Sequence, residues 1–274
     1  MASDIDDSFV KQFESEVHIE YQRMGSRLRN TVRVKTNVKG ESTTFQKIGN
    51  MTASTKARHG QVPLSNASHT PILCTLYDYY SGDFIDKLDE LKIQHDERST
   101  MSTNIAASLG RKSDDLLITA MDGLSQASAS GTGAMTAAKI QEGFETLGEA
   151  NVPMDDGMLY MPISPAGWVD LMGDDDFSSA DYVGADRLPL PGAMTAKDWM
   201  GIMIFPHTGL SVAATVRSCP LYHKTAFGHA SGAEVSLDVT WQGKEQAHLF
   251  VGSMSQGACE IDDNGGFLVK FTEN

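Results

Sequence analysis

The stretch NVPMDDGMLYMPISPAGWVDLM, residues 151–172, combines a turn, a strand and the start of a helix. The turn is predicted at Asp155-Asp156-Gly157, because acidic residues followed by glycine favour a tight turn. The run MLYMPI that follows is apolar throughout, which is typical of a strand covered on both faces. Ser164 and Pro165 then predict the cap and first position of a helix containing Trp168. The stretch therefore indicates a domain that mixes helices and strands.

A long helix is predicted upstream, from about residue 95 to residue 123. Its apolar face is expected to consist of Met101, Ile105, Leu109, Leu116 and Ala120. At ~1.5 Å per residue such a helix would extend about 40 Å. A second helix is predicted at about residues 134–147, after a glycine-containing connector at residues 128–134.

The connector resembles a phosphate-binding loop in composition, but it lacks the required chemistry. Gly133 is followed by Ala134, where a phosphate loop has lysine followed by serine or threonine. The residues before Ser128 predict the end of a helix and not a buried strand. We therefore interpret the connector as a joint between two helices, and we expect it to bind no nucleotide.

An amphipathic helix is predicted near the start of the chain, over residues 8–28. Its apolar residues recur at steps of three or four: Phe9, Phe13, Val17, Tyr21, Met24 and Leu28. The segment that follows offers no local core for this stripe. We therefore expect Phe9, Phe13, Val17 and Tyr21 to contact a neighbouring subunit.

The pattern after this helix changes to a period of two, which predicts a long hairpin from Thr31 to Lys47 with its turn at residues 39–42. Residues 49–71 are polar and poor in large apolar side chains, so they cannot form a core of their own. Residues 72–88 are predicted to form a strand, a turn and a short helix. Further strands are predicted at MGIMIF, AEVSLDVTW, AHLFVGSMS and GFLVKF.

Charge is distributed unevenly along the chain. The net charge is −14, but the segment from Arg23 to Arg58 carries +8 and the remainder −22. Such a basic segment can bind nucleic acid or the acidic surface of an identical neighbour. Phe45 is the only aromatic residue between Arg29 and Arg58, which disfavours a nucleic-acid surface. We expect inter-subunit contacts at Arg33, Lys35, Lys39, Lys47, Lys56 and Arg58.

Motifs for catalysis and metal binding are absent from the sequence. The three cysteines form no CxxC pair, and the eight histidines show no metal-site spacing. The nucleophile elbow and the zinc protease motif are also missing. We therefore expect no catalytic, cofactor-binding or metal-binding residues. No apolar run approaches the length of a membrane span, and the acidic start is unlike a signal peptide, so no membrane partner is expected.

The order of these elements resembles the major capsid proteins of tailed bacteriophages, with the Hong Kong-type capsid fold. The segment DDSFVKQFESEVHIEYQRMGSRLRNTVRV is similar to the arm of podovirus-type capsid proteins. The segments YHKTAFGHASG and SMSQGACEIDDNGGFLV are similar to the C-terminal strands of that family.

The resemblance implies an α+β fold with five parts. These are an N-terminal arm (1–31), an extended β loop (32–80), a peripheral domain with the long spine helix (81–163), an axial domain (164–219) and C-terminal strands that return to both domains (220–274).

The resemblance also implies an icosahedral shell around double-stranded DNA, found in the virion and assembled in the host cytoplasm. Its expected partners are many copies of the chain in hexamers and pentamers, a separate scaffolding protein, a portal protein and a possible decoration protein. Some members of the family crosslink a lysine to an asparagine of a neighbour, but no such pair is identifiable here.

Two other functions stay open at this stage. An encapsulin-like cellular compartment of the same fold would enclose an enzyme cargo instead of a genome. An unrelated soluble enzyme or nucleic-acid binder would form no closed particles.

Overall fold

The structure is a computed structural model that describes residues 22–90, 97–128, 133–178 and 196–273. The strands among these residues are β1 (Arg33–Lys35), β2 (Ser42–Ile48), β3 (His69–Thr75), β4 (Tyr77–Asp86), β5 (Leu159–Ile163), β6 (Lys197–Trp199), β7 (Ile202–Pro206), β8 (Val212–Ala213), β9 (Val216–His223), β10 (Phe227–Gln242), β11 (Ala247–Glu260) and β12 (Gly266–Thr272). The helices are α1 (Lys87–Glu90), α2 (Glu97–Met121), α3 (Ala137–Glu149), α4 (Pro165–Met172) and α5 (Asp175–Ser178).

The first sheet has the strand order β1-β10-β11-β4. Strands β10 and β11 form a long antiparallel hairpin, and β4 pairs antiparallel with β11. Helix α2 packs across β11 and β4, and its Ile105 and Leu109 join a small core that includes Phe250. The 25 residues of α2, rising ~1.5 Å each, give it a length of roughly 37 Å.

The second sheet has the order β12-β9-β5-β7-β6, with β8 paired to β9. It contains the main core of the described residues, to which Met161, Leu221 and Val269 contribute. Helix α3 packs on β12. Leu117 and Met121, at the end of α2, belong to this same core. Helix α2 therefore connects the small core of the first sheet to the main core of the second.

Residues 151–172 fold as their sequence predicts. Strand β5 is almost wholly buried and pairs in parallel with β7. The Ser164 hydroxyl accepts a hydrogen bond from the Gly167 amide at 3.2 Å, and Pro165 occupies the first turn of α4. The predicted strand and helix start are both confirmed.

The predicted apolar face of α2 is correct only in its first half. Ile105 and Leu109 are buried as expected, but the second half buries Leu117 and Met121. Leu116 and Ala120, which were predicted to face inward, are only partly buried. The helix changes partners along its length, from β11 and β4 to the main core, so the buried face moves by one residue.

The predicted hairpin from Thr31 to Lys47 is wrong. Strand β1 pairs in parallel with β10, and β2 pairs with β3 in an antiparallel sheet of two strands. The Val38 amide donates to the Ser231 carbonyl at 3.0 Å, which extends the contact of this segment with β10. Pairing with distant strands therefore overrides the local turn signal at residues 39–42.

The turn predicted within residues 72–88 is also wrong, because β4 runs without interruption through Ser81 and Gly82. A Cβ atom at Gly82 would lie 2.6 Å from the Phe250 carbonyl oxygen. Glycine here permits close contact between β4 and β11 and does not form a turn.

Candidate inter-subunit surface

The two-stranded sheet of β2 and β3 projects from the first sheet, and we call residues 42–75 the extended hairpin. Its root is held by Phe45, which is 1% exposed and packs in a cluster with Cys74, Leu76 and Ala230. The Leu76 amide also donates to the Glu41 carbonyl at 2.8 Å. A buried aromatic residue therefore fixes the root of the extended hairpin to the body of its own chain.

The outer part of the extended hairpin is exposed over most of its length. Strand pairing ends at Ile48 and His69, and nearly every residue between them is exposed. The exposed residues include large apolar side chains, and Leu64 is 85% exposed. Met51 and Val62 are also exposed there, as are Ile48 and Leu73 on the paired strands. Apolar side chains on a projecting segment with no cover indicate a contact surface.

Three of the basic residues predicted as inter-subunit contacts have partners within the chain. The Arg33 guanidinium and the Lys35 ammonium lie 5.8 Å and 4.8 Å from the centre of the Phe45 ring. Lys35 also donates to the Thr44 carbonyl. Lys47 forms an ion pair of 2.7 Å with Asp262. These residues therefore contribute to holding the hairpin root.

Lys39, Lys56 and Arg58 differ from this group. All three are exposed, and none forms an ion pair with the residues that the structure describes. Lys56 and Arg58 lie in the outer part of the extended hairpin. Two of these three exposed basic residues therefore lie in the outer part of the extended hairpin.

The predicted contacts Phe9, Phe13, Val17 and Tyr21 lie outside the described residues, so their contacts stay a prediction. The described chain begins just after them, at Gln22. Residues 22–28, which we call the arm root, are not helical, so the predicted helix of residues 8–28 is wrong over this stretch. Hydrogen bonds to α2, such as that from Ser26 to Asp114, hold the segment against that helix instead.

Asp114, a fully buried acid in α2, organises the arm root. Its carboxylate accepts hydrogen bonds from the Ser26 hydroxyl at 2.6 Å and from the amides of Arg27 and Leu28, both at 3.1 Å. Burial raises the pKa of Asp114, but hydrogen bonds from His207, Ser26 and these amides outweigh it, so the net pKa is lowered. The carboxylate is therefore charged in the interior.

His207 connects this site to the end of β7. The Gly209 amide donates to His207 Nδ1 at 3.2 Å, which assigns the ring proton to Nε2. The Arg23 Nη1 atom lies 2.9 Å from the same Nε2. Nε2 then donates to Asp114 at 3.1 Å. The Arg23 guanidinium, with its Nε 3.6 Å from the same carboxylate, completes the buried group. We call Asp114, His207, Arg23 and Ser26 the arm anchor.

The sequence analysis missed the arm anchor. Its one visible signal was Asp114 itself, a charged residue placed between Gly110 and Leu117 on the inward side of a long helix. Buried charges require partners, so an acid at such a position predicts a polar group elsewhere in the chain. The identities of His207 and Arg23 could not be found from spacing alone.

A second apolar strip lies on the first sheet. Strand β1 pairs only with Gly228–Ala230 of β10. Beyond that point the outer edge of β10 has no strand partner among the described residues. Its alternate residues are exposed large side chains: Val235, Leu237, Val239 and Trp241. Val239 pairs with Phe250, which is buried against α2. The strip therefore lies on the same face of the sheet as α2.

The acidic residues near α3 and α4 have structural partners. Asp170 accepts from the Met135 amide at 3.1 Å, and Asp174 accepts from the Ala137 amide at 2.8 Å. These carboxylates satisfy amide groups at the start of α3. No group of three or more potential metal ligands occurs among the described residues. The helices described include none that is long and apolar enough to cross a membrane.

Comparisons with known proteins agree on one family. The family model described as phage capsid protein matches residues 5–273. The capsid of cyanophage P-SCSP1u is similar in structure, with 19% identity, a TM-score of 0.75, and coverage of 100% of this chain and 96% of that one. A structure from Mycobacterium phage Che8 has 14% identity and a TM-score of 0.76, and the match covers 96% of this chain and 97% of that one.

The capsid of a native GTA particle is also similar, with 13% identity, a TM-score of 0.74 and 99% coverage of both chains. No curated protein sequence matches the chain. The structural similarity confirms the expected Hong Kong-type fold. Because the family model covers nearly all residues, the chain belongs to the phage capsid protein family.

Proposed function

We propose that this chain is the major capsid protein of a tailed phage, and that many copies associate as hexamers and pentamers into an icosahedral shell around double-stranded DNA. The observation that carries the proposal is the extended hairpin. Its root is fixed to its own chain by Phe45, while its outer part presents uncovered apolar and basic side chains. Such a hairpin has a contact surface but no partner within the described residues.

We propose that the outer hairpin lies on acidic surface of an adjacent copy. Fewer basic residues are candidates for this contact than the sequence suggested, because several residues of the +8 segment already have acidic partners in their own chain. Arg29 pairs with Glu234, and Lys47 pairs with Asp262. Lys39, Lys56 and Arg58 remain as the main candidates, with Arg33 and Lys35 at the root.

The strength of this contact depends on the number of copies. An exposed ion pair contributes only ~0 to 1 kcal/mol. Its field is screened over about 8 to 10 Å at moderate salt. The exposed apolar residues of the hairpin add burial at each contact, and a closed shell repeats every contact many times. DNA within the shell would then face a body that is acidic overall.

We propose the following assignment of residues to the parts of the capsid fold. Residues 1–31 form the arm, 32–80 the extended loop, and α2 with the first sheet the peripheral domain. Strand β5 shares a sheet with β7 and β9. This membership favours ending the peripheral domain before Leu159, not at residue 163, and assigning β5 to the axial domain with residues 164–219. Residues 220–274 supply strands to both sheets.

The remaining partners belong to the same proposal. They are a separate scaffolding protein and a portal protein during assembly in the host cytoplasm, and a possible decoration protein. The phage capsid family does not favour the alternatives of a cellular compartment or an enzyme. We propose a structural role without catalysis.

The test combines charge reversal with electron microscopy. The double variant Lys56→Glu/Arg58→Glu should fail to form closed shells under conditions in which the unmodified chain forms them. The matched control Lys56→Arg/Arg58→Lys keeps both charges and should assemble normally. Normal shells from the reversed variant that lose only DNA would assign the hairpin to nucleic-acid binding and contradict the proposal.

A further inference from the structure

Two cysteines meet where the extended hairpin joins the first sheet. Cys74 lies on β3 and is buried, while Cys259 lies on β11 and is partly exposed. Each thiol has the largest effect on the pKa of the other. Both pack in the cluster that surrounds Phe45. The pair therefore connects the hairpin root to the sheet that supports it.

The backbone holds the two cysteines close together. A Cβ atom at Gly257 would lie 2.0 Å from the Thr75 carbonyl oxygen, so β3 rests directly on β11 at this point. Thr75 is the neighbour of Cys74, and Gly257 lies two residues before Cys259. Only glycine permits this approach, so the backbones of β3 and β11 are held close together beside the two cysteines.

The surroundings of the pair favour a reactive thiol. Lys35 stabilises the thiolate of Cys74, and Arg33 and Lys35 act in the same direction on Cys259. The hydrogen bond from Cys259 lowers the pKa of Cys74, while the same bond raises the pKa of Cys259. The pair therefore places a thiol with a lowered pKa, Cys74, beside a thiol that solvent can reach, Cys259.

The third cysteine has none of these properties. Cys219 is fully buried in the main core, and burial raises the pKa of its thiol to about 12. It is hydrogen-bonded by neither of the other two cysteines. Cys219 thus provides an internal reference for an unreactive thiol in the same chain.

We propose that Cys74 and Cys259 form a site of reversible oxidation, at which a disulfide within one chain fixes the root of the extended hairpin to the first sheet. The oxidant class is a small disulfide such as oxidised glutathione. This inference does not rest on the proposed shell function, because it concerns a bond within a single folded chain.

The exchange balances in two steps. Cys74 first loses its proton to solvent, and its thiolate takes the proton of Cys259, so that the more exposed Cys259 sulfur attacks the small disulfide and one small thiolate leaves. Cys74 then loses this proton to solvent, and its sulfur attacks the Cys259 sulfur of the mixed disulfide and expels the second small thiolate. The two released thiolates take up two protons from solvent. The protein loses two electrons, and the small disulfide gains them.

The experiment measures free thiols in the full-length chain after incubation with oxidised glutathione. The protein is then unfolded, labelled with N-ethylmaleimide and weighed by mass spectrometry. We expect the reduced chain to take three labels, one for each cysteine, and the oxidised chain to take one, on Cys219. Peptide mapping should find Cys74 linked to Cys259, and a non-reducing gel should show a monomer.

Two variants keep the test decisive. Cys219→Ala should still form the disulfide, and Cys259→Ser should retain both remaining thiols after oxidation. The oxidised unmodified chain should melt about 5 to 10 °C above its reduced form, and Cys259→Ser should show no such shift. Should a variant fail to fold, peptide mapping of the unmodified chain decides alone. Three labels after oxidation, a link that includes Cys219, or a link between chains would overturn the inference.

Discussion

Replacing Asp114 by asparagine keeps the shape of the side chain but removes the buried charge on which the arm anchor depends. One carboxylate oxygen, Oδ1, accepts hydrogen bonds from the Ser26 hydroxyl and the Leu28 amide. The other, Oδ2, accepts from His207 and faces Arg23. An asparagine oxygen can replace Oδ1, but its amide group would then present N–H to the His207 N–H.

The magnitude follows from these contacts. The variant loses one hydrogen bond to a charged group, worth ~1.5 to 3 kcal/mol. The buried Arg23 guanidinium also loses part of its compensating charge, although Asp115 remains at 3.9 Å. We therefore expect Asp114→Asn to reduce the free energy of unfolding by about 2 to 4 kcal/mol. Asp114→Ala, which removes every acceptor, should cost about 3 to 5 kcal/mol.

Urea denaturation measures the change, and Asp115→Asn provides the matched control. Asp115 is the next residue and makes only the long contact with Arg23, with half of its side chain exposed. Its variant should lie within ~0.5 kcal/mol of the unmodified chain. Hydrogen exchange should also accelerate at the Arg27 and Leu28 amides in Asp114→Asn alone. Equal stability of the two variants would refute the reasoning.

The remaining predictions concern pH, the hairpin root and one surface ion pair. Because the folded pKa of Asp114 is lowered, its charge stabilises the fold above the unfolded value of about 3.9, and the difference in unfolding free energy between the unmodified chain and Asp114→Asn should shrink as pH falls below that value. Phe45→Ala should cost about 3 to 5 kcal/mol and speed tryptic cleavage after Lys47, whereas Leu73→Ala, on the exposed side of the hairpin, should do neither; equal cleavage rates would show that Phe45 does not hold the root. A double-mutant cycle of Arg29→Ala and Glu234→Ala should give a coupling of ~0.3 to 1 kcal/mol. That coupling should fade below about pH 4.3, since the hydrogen bond from Arg29 lowers the pKa of Glu234; a coupling unchanged at low pH would contradict the assignment. Isothermal titration with ATP or GTP should show no binding at the connector of residues 128–134, and micromolar binding would reopen an enzymatic function.

Local signals predicted the parts of the fold in which each residue depends mainly on its neighbours. Residues 151–172 are such a case, because turn, strand and cap are all encoded within a few positions. The length of α2 was also predictable, since its apolar repeat continues for many turns. The change of its buried face toward Leu117 was not, because it depends on which core each half of the helix meets.

Pairing between distant strands was beyond the sequence signals. Residues 39–42 favour a local turn, yet β1 pairs with β10, almost two hundred residues away in the chain. The candidate surface was likewise predictable only in part. Charge counting identified the basic segment, but it could not distinguish Lys47, paired with Asp262, from Lys56, which is free of ion pairs with described residues.

The central claim is that the outer part of the extended hairpin lies on an adjacent copy of the chain. A cryo-electron microscopy structure of the assembled shell tests it most directly, at a resolution that shows side chains. The account predicts that residues 49–68 cover a neighbouring subunit, with Lys56 or Arg58 within 4 Å of its carboxylates and Leu64 buried. An outer hairpin that folds back on its own chain, or that faces the enclosed DNA without touching a neighbour, would contradict it.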